Sequence, residues 1–273
     1  MIPTVTLDRE RSLRFTRFGL GCGQLVGRFT LRESRRIIET ALDLGIRHFD
    51  TAPSYGMGTS EEVLGEVLAG VPDVTVTTKV GPARGRYSAR VNVVRKLVKP
   101  TLDRLGALKR LARRSYAPPA ATAATRPRYD FSRDRIRREL DASLKLLRRP
   151  RVDLYLAHEP HPDDLTPDFA RILDELVSNG LVRSWGVGIG ARSAPWSRCG
   201  RVWQSGWTSG AHEYPADLGY FFHGVLRQAE RDGRGRLVSP PAQLLRSAAL
   251  ARPDCVFLVS AANPARLREL FSG

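Results

Sequence analysis

Three side chains that could share a proton follow short apolar runs in the first third of the chain. Asp50 ends the run 45–49, Tyr55 follows five residues later, and Lys79 ends the run 74–78. An apolar run of this length predicts a buried strand, and a polar residue at its end predicts a site there. A nearby ammonium lowers the pKa of a phenol, and a carboxylate neutralises the ammonium. The three residue types therefore predict proton-transfer chemistry.

Alternating strand and helix patterns place these residues in one architecture. A short hairpin is predicted over residues 4–20. Helices are predicted at 34–44, 60–69, 132–147, 165–179, 241–251 and 264–271. Apolar residues at helical spacing also predict helix over 91–111, with a break or kink at Pro100. Eight strands are predicted near 18–21, 45–50, 74–80, 152–157, 183–188, 202–204, 218–222 and 255–260. Eight such repeats favour a (β/α)8 TIM barrel, which commonly needs about 250 residues. We therefore expect a single domain over residues 1–273.

The repeat spacing is uneven at two places. Only 191–200 and 209–217 remain for the crossovers after the fifth and sixth strands, so we expect helices 5 and 6 to be shortened or replaced by loops. After the third strand, residues 82–130 form a long insertion. It holds thirteen Lys or Arg against Asp103 and Asp130, and so carries most of the net charge of +16.

Composition excludes several other classes. No run approaches the roughly 20 apolar residues that span a membrane, and the N-terminus lacks the pattern of a secretory signal. Cys22, Cys199 and Cys255 are too few and too far apart for a disulfide framework or a metal knuckle. The cytoplasm is the expected location. Basic charge without a supporting motif does not predict a nucleic-acid partner.

Six motifs, in order along residues 15–190, resemble those of the aldo-keto reductases. They are Gly19–Gly21, Asp50–Gly56, Ser60–Gly65, Thr78–Gly81, Asp153–His158 and Gly180–Val187. Within that family the segment 129–132 is closest in pattern to the sugar or aldose dehydrogenase-like branch. The resemblance implies the barrel, a nicotinamide cofactor, and a small aldehyde, ketone or aldose as substrate.

The resemblance also assigns catalytic roles. It implies that Tyr55 is the general acid in reduction and the general base in oxidation. Lys79 would lower the pKa of that phenol, and Asp50 would hold the lysine. His158, which ends the fourth strand, would orient the carbonyl and shape the oxyanion region. No metal is required by this chemistry.

Cofactor binding is assigned by the same resemblance to seven residues. These are Gly21, Cys22, Gly188, Gln204, Phe221, Arg266 and Glu269. Gly188-Ile189 replaces the Ser-Asn pair that usually binds the nicotinamide amide, whereas Gln204 matches the glutamine that holds it. Tyr220 or Phe221 would stack on the ring. Because Arg266 fits the arginine that meets the 2′-phosphate, NADP is the expected cofactor and NAD the alternative.

Two local motifs are rejected, and one further function remains open. The glycines of 186–190 lack the spacing and context of a Rossmann loop, and prolines in 158–164 prevent the helical spacing of a zinc motif. The alternative function is a degenerate barrel that binds or regulates through its basic insertion.

Overall fold

In the computed structural model of this chain, eight parallel strands close into a barrel, which confirms the predicted fold. The structure describes residues 2–8, 13–26, 29–84, 128–190, 195, 198–208, 214–230, 232–233 and 235–272. The hairpin strands are β1 (Thr4–Asp8) and β2 (Leu13–Thr16). The barrel strands are β3 (Phe18–Gly21), β4 (His48–Asp50), β5 (Thr75–Val80), β6 (Val152–His158), β7 (Val182–Gly188), β8 (Val202–Gly206), β9 (Gly219–His223) and β10 (Val256–Val259).

Seven α-helices are present in the described part of the chain. They are α1 (Leu31–Asp43), α2 (Ser60–Val67), α3 (Arg133–Leu147), α4 (Pro167–Ser178), α5 (Val225–Gln228), α6 (Pro241–Ala251) and α7 (Pro264–Glu269). As predicted, the crossovers after β7 and β8 contain no helix within their described residues. The insertion after β5 lies outside the described residues except for 82–84 and 128–130.

The hairpin closes the end of the barrel where the strands begin. Its apolar side chains form one cluster with inward-facing residues of the barrel strands. The hairpin contributes Val5, Leu7, Leu13 and Phe15, and the barrel contributes Leu154, Leu156, Val202, Phe221, Val256 and Leu258. A second, larger cluster fills the layer between the barrel and its helices. With one end plugged by apolar side chains, the polar residues at the other end of the strands are the ones open to a ligand.

Helices α2 and α3 approach so closely that Gly65 has no room for a side chain. A Cβ placed on Gly65 would lie 2.1 Å from the carbonyl oxygen of Leu146 and 2.8 Å from the carbonyl carbon of Leu147. Both neighbours are backbone atoms, so relief would require the helices to move apart.

We therefore expect Gly65→Ala to lower the free energy of unfolding by about 1–3 kcal/mol, because it overpacks this contact. Urea unfolding at neutral pH measures the change. Gly233→Ala is the matched control, since a Cβ there meets nothing within 4 Å. An equal effect of the two substitutions would show that the close approach is not a constraint.

A buried acid holds the chain where it leaves β5. Glu61 of α2 is 1% exposed. Its carboxylate accepts a hydrogen bond of 2.6 Å from Thr78 and forms an ion pair with Arg84 at 2.5 Å. Arg84 also donates to Ser143 of α3 at 3.2 Å. These bonds fix Arg84, which lies in the first described residues of the insertion, between helices α2 and α3.

Candidate active site

Alternation along the strands places a ring of polar and small residues at the open end of the barrel. The side chain of every second residue points inward, so residues 48 and 50 of β4 share a face, as do 75, 77 and 79 of β5. The uppermost inward positions are Gly21, Asp50, Lys79, His158, Gly188, Gln204 and His223. The sequence predicted all of these positions except His223.

At the centre of this ring lies a buried ion pair. The ammonium of Lys79 donates to both carboxylate oxygens of Asp50, at 2.7 and 2.8 Å, and to the carbonyl of Thr51 at 3.0 Å. The side chains of Lys79 and Asp50 are 1% and 5% exposed. Desolvation is the largest single effect and lowers the pKa of Lys79, but the charges and hydrogen bonds of Asp50 and Tyr55 together exceed it. The pKa of Lys79 is therefore raised, and the ammonium stays protonated.

Tyr55 stands beside this pair on a tight turn that follows β4. Two residues of the turn, Gly56 and Met57, have positive φ angles of 58° and 57°. A Cβ on Gly56 would lie 2.6 Å from the carbonyl oxygen of Leu25, which is why glycine is needed there. The turn places the Tyr55 ring with its centroid 4.8 Å from the Lys79 ammonium.

Burial changes the acidity predicted for Tyr55. Lys79 lowers the pKa of the phenol by its charge and a hydrogen bond, as expected, but burial is the larger effect and raises the pKa above 10.0. The sequence prediction of a lowered pKa was therefore wrong in its net direction, because it left out desolvation. Tyr55 is protonated at neutral pH.

His158 faces Tyr55 across the mouth of the barrel. The two rings meet edge to face, with centroids 5.8 Å apart and an interplanar angle of 86°. Burial, and then the charge of Lys79, lower the pKa of His158 to about 3. The imidazole is thus neutral and can donate from only one nitrogen.

A second buried histidine lies one layer below. His48 contacts the hydroxyls of Thr75 and Thr77 through its two ring nitrogens, at 3.0 and 3.4 Å, and its ring packs against Phe15 and Phe221. Burial is the main cause that lowers its pKa from 6.5 to about 4. The nearby charges of Asp50 and Lys79 act in opposite directions.

Acidification should therefore weaken the fold. Between pH 6.5 and 4, His48 is protonated in the unfolded chain but neutral in the folded chain. The free energy of unfolding therefore rises with pH in this window and is lost as pH falls. The loss from His48 is about 3 kcal/mol. We expect urea unfolding at pH 7 and pH 4.5 to show a smaller loss in His48→Asn than in the wild type. The same pH dependence in both proteins would contradict this, as would an equal change in the control His161→Asn, at a half-buried position in the loop after β6.

The mouth of the barrel opens into a cavity of about 380 Å³, whose lining includes Tyr55, His158 and Gln204. Part of its wall is bare backbone. A Cβ on Gly188 would lie 3.0 Å from Gln204 Oε1, and a Cβ on Gly21 would lie 3.0 Å from Ser260 Oγ. The cavity is therefore shaped for a flat group that approaches the backbone closely.

A second cavity adjoins the first, and the two share Leu226 and Ser260 in their linings. It has a volume of about 710 Å³ and contains Arg266 and Glu269, as well as Arg236. Arg266 and Glu269 form an ion pair of 2.6 Å. The side chain of Asn263 accepts from the backbone N–H of Arg266, which occupies one of the amide groups at the start of α7.

Two of the predicted cofactor residues, Phe221 and Cys22, line neither of these two cavities. Phe221 is 1% exposed, because its ring packs one layer lower against Phe15 at a centroid distance of 5.1 Å. The side chain of Cys22 is fully buried, and burial raises the pKa of its thiol well above the usual value. The ring that does line the first cavity on β9 is His223, whose Nε2 donates a hydrogen bond of 3.1 Å to the carbonyl of Ile189. The repeated inward positions 219, 221 and 223 were the signal for it.

Neither a metal site nor a membrane span is found within the described residues. No group of three or more His, Cys, Asp or Glu side chains in this part of the chain could hold a metal ion. Among the helices that the structure describes, none has the length and apolar character to cross a bilayer.

Comparison with known proteins gives consistent results. The sequence model of the Aldo/keto reductase family matches residues 17–208. The D-threo-aldose 1-dehydrogenase of a Pseudomonas species is 30% identical over 161 residues, which cover 57% of this chain and 44% of that protein. The pyridoxal 4-dehydrogenase of Microbacterium luteolum is 30% identical over 193 residues, covering 65% and 53%. The chain thus spans about half the length of these curated relatives.

Among solved structures, an aldo-keto reductase of Bacillus halodurans in its holo form has a TM-score of 0.66 at 20% identity. The match covers 100% of this chain and 92% of that one. The glycerol dehydrogenase of Gluconobacter oxydans has a TM-score of 0.63 at 20% identity, and the match covers 99% and 90%. At this identity the likeness shows the fold.

Proposed function

Because this chain belongs to the aldo/keto reductase family, we propose that it transfers a hydride between a nicotinamide nucleotide and the carbonyl carbon of a small aldehyde, ketone or aldose. The observation that carries the proposal is the position of Tyr55. Its phenol stands at the mouth of a cavity, beside a buried ion pair that can stabilise the phenolate.

In reduction, Tyr55 gives its proton to the carbonyl oxygen. Its raised pKa keeps the proton in place at neutral pH, and Lys79 stabilises the phenolate that forms. Asp50 compensates the charge of Lys79, so the pair lies in the barrel without a net charge to desolvate. In oxidation the same phenol, once deprotonated, accepts the proton.

His158 is proposed to orient the carbonyl. Its imidazole is neutral, because burial lowers its pKa to about 3, and its ring edge lies against Tyr55. A neutral imidazole donates a hydrogen bond to the carbonyl oxygen without competing with Tyr55 as the acid.

The residues of the two cavities fit a nicotinamide dinucleotide. Gly21, Gly188 and Gln204 form a wall open to a flat amide-bearing ring, and the adjoining cavity extends from there to Arg266 and Glu269. When bound, the nucleotide supplies or accepts the hydride. We propose NADP, with NAD as the alternative, because the Arg266 guanidinium can pair with a 2′-phosphate. Glu269 already binds that guanidinium, so a phosphate must share it.

Nucleotide binding tests this proposal before any substrate is known. We expect NADPH at micromolar concentration to quench the tryptophan fluorescence of the purified chain. Arg266→Met should weaken NADPH binding more than NADH binding, because only NADPH carries the phosphate. Arg137→Met, on the exposed outer face of α3, is the control. Absence of quenching with both nucleotides would contradict the proposed function.

The substrate class is proposed as small carbonyl compounds and aldoses. The named relatives act on an aldose and on pyridoxal, and the first cavity has room for a small molecule beside a nicotinamide ring. A panel of aldoses and aldehydes with both nucleotides identifies the substrate. The alternative role through the basic insertion depends on residues 85–127, which lie outside the described residues, and stays a prediction.

A further inference from the structure

Gln204 connects the cavity wall to the ion pair on the opposite side of the barrel. It lies on β8, and Asp50 lies on β4, which is four strands away in the closed ring of eight. The side-chain nitrogen of Gln204 donates to Oδ2 of Asp50 at 2.8 Å. Gln204 is 4% exposed, so this bond lies in the barrel interior and not in bulk water.

The bond fixes which way the amide of Gln204 faces. An ionised carboxylate only accepts hydrogen bonds, so the NH2 group must point to Asp50 and the carbonyl oxygen must point away from it. Oε1 faces the bare backbone of Gly188 in the cavity wall, where a Cβ would lie 3.0 Å from it. Within the described part of the chain, no donor is placed on Oε1. The cavity therefore presents a buried acceptor with a fixed direction.

Asp50 and Lys79 together control the proton of Tyr55. The Lys79 ammonium donates to Asp50 and to the Thr51 carbonyl, and it lies 4.8 Å from the centroid of the Tyr55 ring. The negative charge of Asp50 raises the pKa of Tyr55, whereas Lys79 lowers it. The other groups that face Tyr55 are the buried thiol of Cys22 and the neutral ring of His158. The charge left on Asp50 is thus a control on the acidity of the phenol.

We propose that Gln204 is a positioning residue that couples occupancy of the cavity to the proton donor. A ligand group that donates to Oε1 polarises the amide and strengthens its bond to Asp50, since hydrogen bonds in a chain reinforce one another. The strengthened bond withdraws charge from Asp50, which frees Lys79 to stabilise the phenolate. Tyr55 becomes a stronger acid when a carboxamide is bound than when the cavity is empty. The identity of the ligand as a nicotinamide rests on the proposed function.

The first test needs no ligand. The chain is prepared with fluorotyrosine, whose phenol titrates in a lower pH range, and the fluorine resonance of residue 55 is assigned with Tyr55→Phe. We expect Gln204→Met to raise the titration midpoint of Tyr55 by about half a pH unit, because Asp50 loses a donor. Gln24→Met removes another amide from the lining of the same cavity, and should leave the midpoint unchanged. An unchanged midpoint in Gln204→Met overturns the proposal.

The second test uses two reduced nucleotides that differ in one group. NADPH carries a carboxamide with an N–H donor, whereas its 3-acetylpyridine analogue carries a ketone without one. In the wild type, NADPH should give a Tyr55 midpoint about half a pH unit below that of the analogue. The difference should vanish in Gln204→Met, and a difference that persists there overturns the coupling. If neither nucleotide binds, the proposed function fails, while the titration without ligand still decides the role of Gln204.

Discussion

Tyr55→Phe is expected to lower kcat by roughly 10³-fold, which lies in the range that a positioned general acid supplies. The phenyl ring keeps the edge-to-face contact with His158 and the contact with the Lys79 ammonium, so the cavity retains its shape. Only the exchangeable proton is lost. Nucleotide affinity should therefore stay close to that of the wild type, and steady-state turnover together with fluorescence quenching separates the two effects.

Tyr220→Phe is the matched control for this substitution. Its hydroxyl donates to the carbonyl of Pro215 at 2.6 Å on the outer face of the barrel, and the residue does not line either described cavity. We expect turnover to be retained in this variant. If Tyr55→Phe kept full turnover, the assignment of the acid would be refuted.

Lys79→Met is expected to lower the free energy of unfolding by about 3–5 kcal/mol and to abolish turnover. Removing one member of a buried ion pair leaves the other charge without compensation, and here that charge is the carboxylate of Asp50. The same substitution removes the cation that stabilises the phenolate. Chemical denaturation at neutral pH measures the first effect, and steady-state kinetics measure the second.

A double variant and a surface control make this prediction specific. Asp50→Asn combined with Lys79→Met removes both charges and should recover much of the stability but none of the activity. Arg137→Met breaks an exposed pair with Asp141 and should change stability by less than about 1 kcal/mol. Equal losses in Lys79→Met and Arg137→Met would mean that the buried pair does not hold the barrel.

Most of the candidate catalytic residues could be predicted, because the sequence signals that mark them are local. Asp50, Lys79 and His158 each end an apolar run, and the ends of parallel strands meet at one face of a barrel. His223 was missed because the seventh strand was predicted to end at residue 222. In the structure β9 reaches residue 223, and Phe221 lies one layer below the cavity.

Other features depend on contacts that a sequence does not contain. The net acidity of Tyr55 depends on how completely neighbouring elements remove it from water, and this burial reverses the predicted direction. The bond between Gln204 and Asp50 joins residues 154 positions apart in the chain. By contrast, the signal for the start of α1 is local in the sequence. Thr30 and Glu33 form a capping box, and the helix begins three residues earlier than predicted.

Transfer of an isotope tests the central claim most directly. The purified chain is incubated with NADPH or NADH deuterated at the transferable position of the ring, together with the best carbonyl substrate of the panel. We predict that deuterium appears on the carbinol carbon of the product in the wild type, and that Tyr55→Phe forms this product at a rate lower by roughly 10³-fold. A product that forms without deuterium at that carbon, or that forms equally fast without the Tyr55 hydroxyl, would contradict the account.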